Sequence, residues 1–264
     1  MEEKPEQLSN GTELKRALGA VAVTGASSGI GEAVATALSR AGVTVIGLDR
    51  DPPNRPPPGG TSMALDVTDE AEVELTIAAA EARFGPIGGL VNAAGILGKV
   101  HPPERLRLTD WQREINVDLT GTYIVSRAVG VRMAQRASGA IVNVASIAGM
   151  TSAPTHAYSA AKAGVISLTR SLARAWGRQG VRVNAVSPGF TRTPALDKGV
   201  SAGVLNASAM AEATALGRLL DASEIADAVV WLLGPGSRGV TGVNLPVDGG
   251  FLAGVTWPAY AAPA

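Results

Sequence analysis

Tyr158 and Lys162 stand four residues apart in Tyr158-Ser159-Ala160-Ala161-Lys162, a stretch that reads as a single helical turn. Side chains at that spacing share a helix face. An ammonium beside a phenol favours the phenolate, so the pair could exchange a proton near neutral pH, where a free tyrosine, ionising at about 10, does not. The same spacing also arises by chance on solvated helices. Its chemistry therefore depends on what the rest of the chain delivers to this turn.

The first such element is a glycine-rich turn. Ala20 to Val23 is a short apolar run, expected as a buried parallel strand. Thr24-Gly25-Ala26-Ser27-Ser28-Gly29-Ile30-Gly31 follows, and a helix is expected from there to about Arg40. Glycines let the backbone approach a ligand closely, while the amides and the helix dipole draw a phosphate. The pattern is Gly-x3-Gly-x-Gly, without the Gly-Lys-Ser/Thr of a P-loop. Asp49 ends the next strand, Val43 to Leu48. An acid there can accept both ribose hydroxyls of an adenosine. It would also repel a 2′-phosphate, at roughly 4 kcal/mol per unit-charge pair at 4 Å and an effective dielectric of about 20. Asp49 thus predicts NAD over NADP, with Arg50 beside it as the opposing residue.

Further strand ends bring further candidates. Asp66-Val67 could meet the adenine, and Asn92-Ala93-Ala94-Gly95 is small enough for close approach to a cofactor, although Asn92 could equally stitch neighbouring strands. Ser146 and Pro188-Gly189 also follow expected strands. Between the strands, Asp69 with Glu72, Thr109 with Gln112 and Asp221 with Glu224 read as helix capping boxes. One long helix is expected from Thr109 to about Ala137, with Asn116 inside it. Asp51 to Gly60 holds five prolines and two glycines and cannot be a helix interior. Alternating strands and helices predict an α/β chain, a doubly wound, mostly parallel Rossmann-like sheet with helices on both faces. Ligands of such sheets bind beyond the strand carboxyl ends.

Composition narrows the classes. The 264 residues are 46% hydrophobic and 17% charged, which suits one large domain. The formal net charge is +0, so no global field favours nucleic acid or an anionic membrane. Without cysteine there is neither disulfide nor thiolate chemistry, and two histidines argue against a histidine-rich metal site; no metal is expected. No apolar run reaches the roughly 18–20 residues of a spanning helix. Residues 1–18 are expected as a flexible extension rather than a signal peptide, and residues 19–264 as the domain, with a lid over about 190–217 and a tail over 251–264. A cytoplasmic location is expected.

From Gly19 to Phe251 the chain resembles the short-chain dehydrogenase/reductase family in its single-domain form. The carriers are TGASSGIG at 24–31, Asp49, Asp66-Val67, NAAG at 92–95, Asn116, Ser146, Tyr158 with Lys162, Pro188-Gly189 with Thr193, and Asp248-Gly249-Gly250. The resemblance implies that Tyr158 is the general acid/base and that Ser146 orients the substrate oxygen. It also implies that Lys162 holds the nicotinamide ribose, that Asn116 positions a water leading from Lys162 to solvent, and that the assembly is a homotetramer. Thr191 stands where the family more often has an aliphatic residue near the carboxamide, and the proline-rich segment replaces the family's usual helix. The expected cofactor is NAD, and the expected substrate a hydrophobic secondary alcohol or ketone held by Leu97, Ser146, Ile147, Met150, His156 and Phe190. An NADPH-dependent ketone or 3-oxoacyl reductase and a non-catalytic NAD-binding regulator are the alternatives.

Overall fold

The computed structural model describes residues 10–52, 56, 60–97 and 100–254. In chain order the elements are α1 (Asn10–Leu18), β1 (Ala20–Thr24), α2 (Gly29–Arg40), β2 (Thr44–Asp49), β3 (Thr61–Ala64), α3 (Glu70–Phe84), β4 (Ile87–Asn92), α4 (Leu108–Ile115) and α5 (Thr122–Gln135). There follow β5 (Gly139–Val144), α6 (His156–Trp176), β6 (Val181–Pro188), β7 (Thr191–Arg192), α7 (Pro194–Ser201), α8 (Ala207–Glu212), β8 (Leu220–Asp221), α9 (Ala222–Leu233) and β9 (Asn244–Val247).

Seven strands form one sheet in the order β3-β2-β1-β4-β5-β6-β9, with every pairing parallel. β1 is buried throughout because it is covered on both faces, and only its last residue, Thr24, is polar. Val21 and Val23 pack with Val34 and Leu38 of α2 and Ile225 and Val229 of α9. Ala20 and Ala22 turn the other way, toward Ile77 of α3, Val125 and Val129 of α5 and Leu172 of α6. This three-layer arrangement is the one expected. The order in which strands are added reverses between β1 and β4, so their carboxyl ends open the crevice where ligands of such sheets sit. No helix among the described residues is long and apolar enough to cross a membrane.

Several local expectations change. The amino-terminal extension is not wholly flexible: residues 10–18 form α1, whose Leu14 and Leu18 are buried against Val43 and Leu233 in the core. Two leucines four apart suffice to dock one face of a short helix. The Asp221–Glu224 capping box is present, and Arg218 holds the Glu224 carboxyl down at about 2. The Asp69 box is half formed, since Asp69 caps Glu72 N–H while Glu72 reaches Asp66 N–H instead. The Thr109 box is absent because α4 starts at Leu108, putting Thr109 inside the first turn, where Arg107 pairs with Asp110. The long helix around Asn116 is interrupted by a π-helical turn, Asn116–Gly121, that adds a residue between α4 and α5. In the proline-rich segment, residues 53–55 and 57–59 lie outside the described residues, as do residues 1–9 and the tail from 255 onward.

Candidate active site

At the end of β1, the Thr24 hydroxyl accepts from the N–H groups of Ala93 and Ala94, both at 3.1 Å, which locks the glycine turn to the loop after β4. The fit is close: Gly25 has φ +66, and a β-carbon on it would lie 2.8 Å from the Ala94 backbone. Ser28 occupies the N-cap of α2 without using its side chain as a cap, which leaves the helix N-terminus to a ligand. Asp49 Oδ2 accepts from Ser27 N–H at 3.1 Å, so the acid of β2 adjoins the same turn. Thr193 reaches it from the far side, its methyl packed against Gly29. Residues far apart in sequence thus gather at one turn, whose Gly25 and Gly31 are required because a β-carbon on either would strike neighbouring backbone. Gly31 and Ile30 begin α2, and Pro188-Gly189 end β6 with Thr191 buried behind them, its hydroxyl donating to the Gly189 carbonyl.

Four of the expected cofactor residues make contacts of their own within the protein. The Asn92 side chain turns into the interior, donating to Ser126 Oγ and Asn143 Oδ1, both at 2.8 Å. It is a strand stitch, and only its backbone is left for a ligand. Asp66 Oδ1 accepts from the N–H and hydroxyl of Thr68, which hold its carboxyl below the usual range. Val67 is buried beneath Gly121 of the π-helical turn. Arg50 pairs with Asp51 at 3.3 Å on the surface.

The proton-handling end lies where β5 meets α6. Lys162 is 4% exposed, and its Nζ donates to the Val144 carbonyl at 3.0 Å. Val144 ends the strand that leads to Ser146, which caps the following turn by accepting from Ala148 N–H at 3.1 Å. That turn rests on α6 so closely that a β-carbon at Gly149 would lie 2.6 Å from Ala163 N. Lys162 Nζ lies 5.4 Å from the centroid of the Tyr158 ring. Tyr158 and Lys162 thus share one face of α6, and Lys162 is anchored to the end of the strand from which Ser146 follows.

Asn116 is not. It is exposed, and the buried place beside the lysine belongs to Asp118. Asp118 Oδ1 accepts from Ile96 N–H at 2.9 Å and stands 3.7 Å from Lys162 Nζ, while Oδ2 has no partner among the described residues. Side chains two apart on a helix face in different directions. Glu114, Asp118, Thr122 and Val125 continue one buried stripe that Asn116 does not join. That spacing was the sequence signal for Asp118. Burial pushes its carboxyl up to about 6, against the pull of Lys162.

Of the expected substrate walls, only His156 lines the nearby groove, a cavity of about 300 Å³ shared with Pro103, Leu106, Leu108 and Trp111. Ile147 is buried, Leu97 is exposed, and Met150 receives the Asn244 amide on its sulfur at 3.1 Å. Phe190 packs edge-on against Phe251 at 5.1 Å. Pro103 and Leu106 come from the loop after β4, whose path no periodicity reveals, Leu108 and Trp111 from α4, and His156 from α6.

Residues 25–252 match the family model described as Enoyl-(Acyl carrier protein) reductase. The cis-4-hydroxycyclohexanecarboxylate dehydrogenase of Sinomonas cyclohexanicum is 40% identical over 244 residues, covering 88% of this chain and 95% of that one. Among solved structures, a Brucella melitensis 16M protein named ribose-5-phosphate isomerase superposes with a TM-score of 0.86 at 47% identity, over 89% of this chain and 93% of its own. ElxO with NADP bound gives a TM-score of 0.83 at 28% identity, over 89% and 99%.

Proposed function

The chain belongs to the short-chain dehydrogenase/reductase family, an oxidoreductase of alcohols and carbonyl compounds served by a nicotinamide dinucleotide, and on that premise we propose NAD as its cofactor and a hydrophobic secondary alcohol, or the matching ketone, as its substrate. The observation that carries this reading is the buried Lys162, anchored to the end of β5 and set beside the Tyr158 ring.

The residues fit such a cofactor. The 25–31 turn and Ser28 would hold its phosphates, Asp49 its adenosine ribose, the 92–95 backbone and Pro188 to Thr193 its nicotinamide half, and Lys162 its second ribose. When bound, it supplies or accepts the hydride. Tyr158 gives a proton to the substrate oxygen or takes one from it, and the Ser146 hydroxyl holds that oxygen in place. Both hydroxyls stabilise the charge that develops there. Lys162 adds a positive charge behind the phenol. Asp49 argues for NAD, and Arg50, held by Asp51, argues only weakly for NADP. The apolar groove of Leu106, Leu108 and Trp111 suits a cyclic or aromatic carbon skeleton, and the relative named for a hydroxycyclohexane acid agrees with this.

A panel of secondary alcohols with NAD and with NADP, followed at the reduced-nicotinamide absorbance, tests the reading. Turnover with NAD at higher catalytic efficiency is expected. A tenfold advantage for NADP would sink the Asp49 argument and favour the NADPH-dependent reductase. Binding without turnover would indicate the regulator. Sugar-phosphate conversion without dinucleotide turnover would indicate an isomerase. We further read the protein as a homotetramer, because Tyr123 and Val131 stay exposed on one face of α5 as a helix-on-helix interface requires. A solution mass of four chains is expected by light scattering.

A further inference from the structure

We propose that Asp118 is a positioning residue acting through Lys162: its carboxylate steadies the buried ammonium and, by its charge, sets how strongly that ammonium stabilises negative charge on the Tyr158 oxygen. This deepens the dehydrogenase reading and rests on it.

The geometry leaves Asp118 little other work. Its side chain is fully buried, and Oδ1 is held by Ile96 N–H at 2.9 Å, within 3.7 Å of Lys162 Nζ. A β-carbon at Gly95 would lie 2.5 Å from Oδ1 and 3.4 Å from Lys162 Nζ, so the loop after β4 is pressed onto this pair. Oδ2 is buried without a partner among the described residues, an arrangement costly for a carboxylate. The charged groups acting on Asp118 are Lys162 from α6 and Glu114 from α4; the loop side offers the Ile96 N–H. Lys162 in turn has the Val144 carbonyl, Asp118 and the Tyr158 ring around it. An ionised Asp118 cancels part of the ammonium's field at the phenol, and a protonated one releases it in full. With its carboxyl at about 6, Asp118 changes charge just below neutrality, so the driving charge on the tyrosine depends on pH in steps.

The test compares the wild type with Asp118→Asn, which keeps the shape and the acceptor for Ile96 N–H but removes the charge. With ¹³Cζ-labelled tyrosine, the protein's three tyrosines are few enough to assign Tyr158 by its loss in Tyr158→Phe. In the cofactor-free protein, Asp118→Asn is expected to move the Tyr158 titration midpoint to lower pH by about one unit, the low end for a neighbouring charge. In turnover with NAD and a secondary alcohol, the wild-type profile is expected to show an ionisation near pH 6 that the variant lacks. A midpoint and a profile both unchanged in Asp118→Asn overturn the proposal, since a merely structural role would alter the melting temperature alone. If no alcohol is turned over, the functional reading fails and the resonance shift still decides this one. Should Asp118→Asn not fold, Asp118→Ser removes the same charge. Should neither fold, a ¹³Cγ-aspartate spectrum of the wild type with no carboxyl titrating between about pH 5 and 7 overturns it, and one that titrates there supports it.

Discussion

Asn92 and Asp118 each bury an oxygen that has no partner among the described residues, and the two clusters around them treat it differently. Around Asn92, the stitch is a relay of neutral groups. Asn92 donates to Ser126 and Asn143, Asn143 donates to Thr169, and Thr169 returns to the Val165 carbonyl. It joins β4, β5, α5 and α6, and its one bare amide oxygen carries no charge. Around Asp118, the bare oxygen belongs to a carboxyl beside an ammonium, so the deficit appears as a shifted titration. Neutral networks fix strands in place; a charged, incompletely satisfied one keeps a proton available. The two sit a few residues apart along the same elements, so rigidity and reactivity are separated by side-chain chemistry rather than by distance.

This contrast can be broken at its strongest point first. Tyr158→Phe should lose about 10²–10⁴-fold in kcat while folding and binding NAD normally, read by turnover and by calorimetry. Retained turnover would place the acid/base elsewhere and dissolve the distinction. Next, between pH 4 and pH 8 the wild type should lose about 3 kcal/mol of stability relative to Asp118→Asn, from a carboxyl raised from 3.8 to about 6. The sign follows from linkage: a raised carboxyl contributes its stability below about pH 4 and loses it as pH rises through about 6, and a neutral amide has no such dependence. Urea melts at pH 8 and pH 4 check this, and a difference between wild type and variant that is the same at both pH values would show that the carboxylate is well solvated. Asn143→Ala should instead cost about 2–3 kcal/mol at every pH, because it strips partners from both Asn92 and Thr169. Ser126→Ala should cost only about 1 kcal/mol, since Asn92 keeps its bond to Asn143.

The local features were legible and the three-dimensional meetings were not. The glycine turn, Asp49, Ser146 and the Tyr158–Lys162 turn follow strand or helix periodicities that survive without neighbours. The parallel sheet follows from the same alternation. Asn116 misled because a helix offers an amide and an acid two residues apart, and only the buried stripe of Glu114, Thr122 and Val125 tells which faces inward. The π-helical turn shifts that stripe by one residue, which obscures the period further. Asn92 could not be assigned between stitch and ligand contact until Asn143, far along the chain, was placed opposite it. The groove containing Trp111 depends on the loop after β4, and α1 was hidden in a polar, mixed-charge terminus although Leu14 and Leu18 do share one helix face.

The π-helical turn also bears on how this protein can change by inheritance. Loss of one codon within residues 116–121 would restore an even helical ladder. Because the turn already absorbs that extra residue, α4 and α5 would keep close to their present orientation, Trp111 staying in the groove it lines and Ser126 in its place on α5. The residues of the turn itself, Asp118 among them, would be re-aimed. A single in-frame deletion could thus change the group that stands beside Lys162 while sparing Ser146 and Tyr158, and a refolded deletant with an altered pH profile would mark this turn as a place where the chemistry can diverge without a new fold.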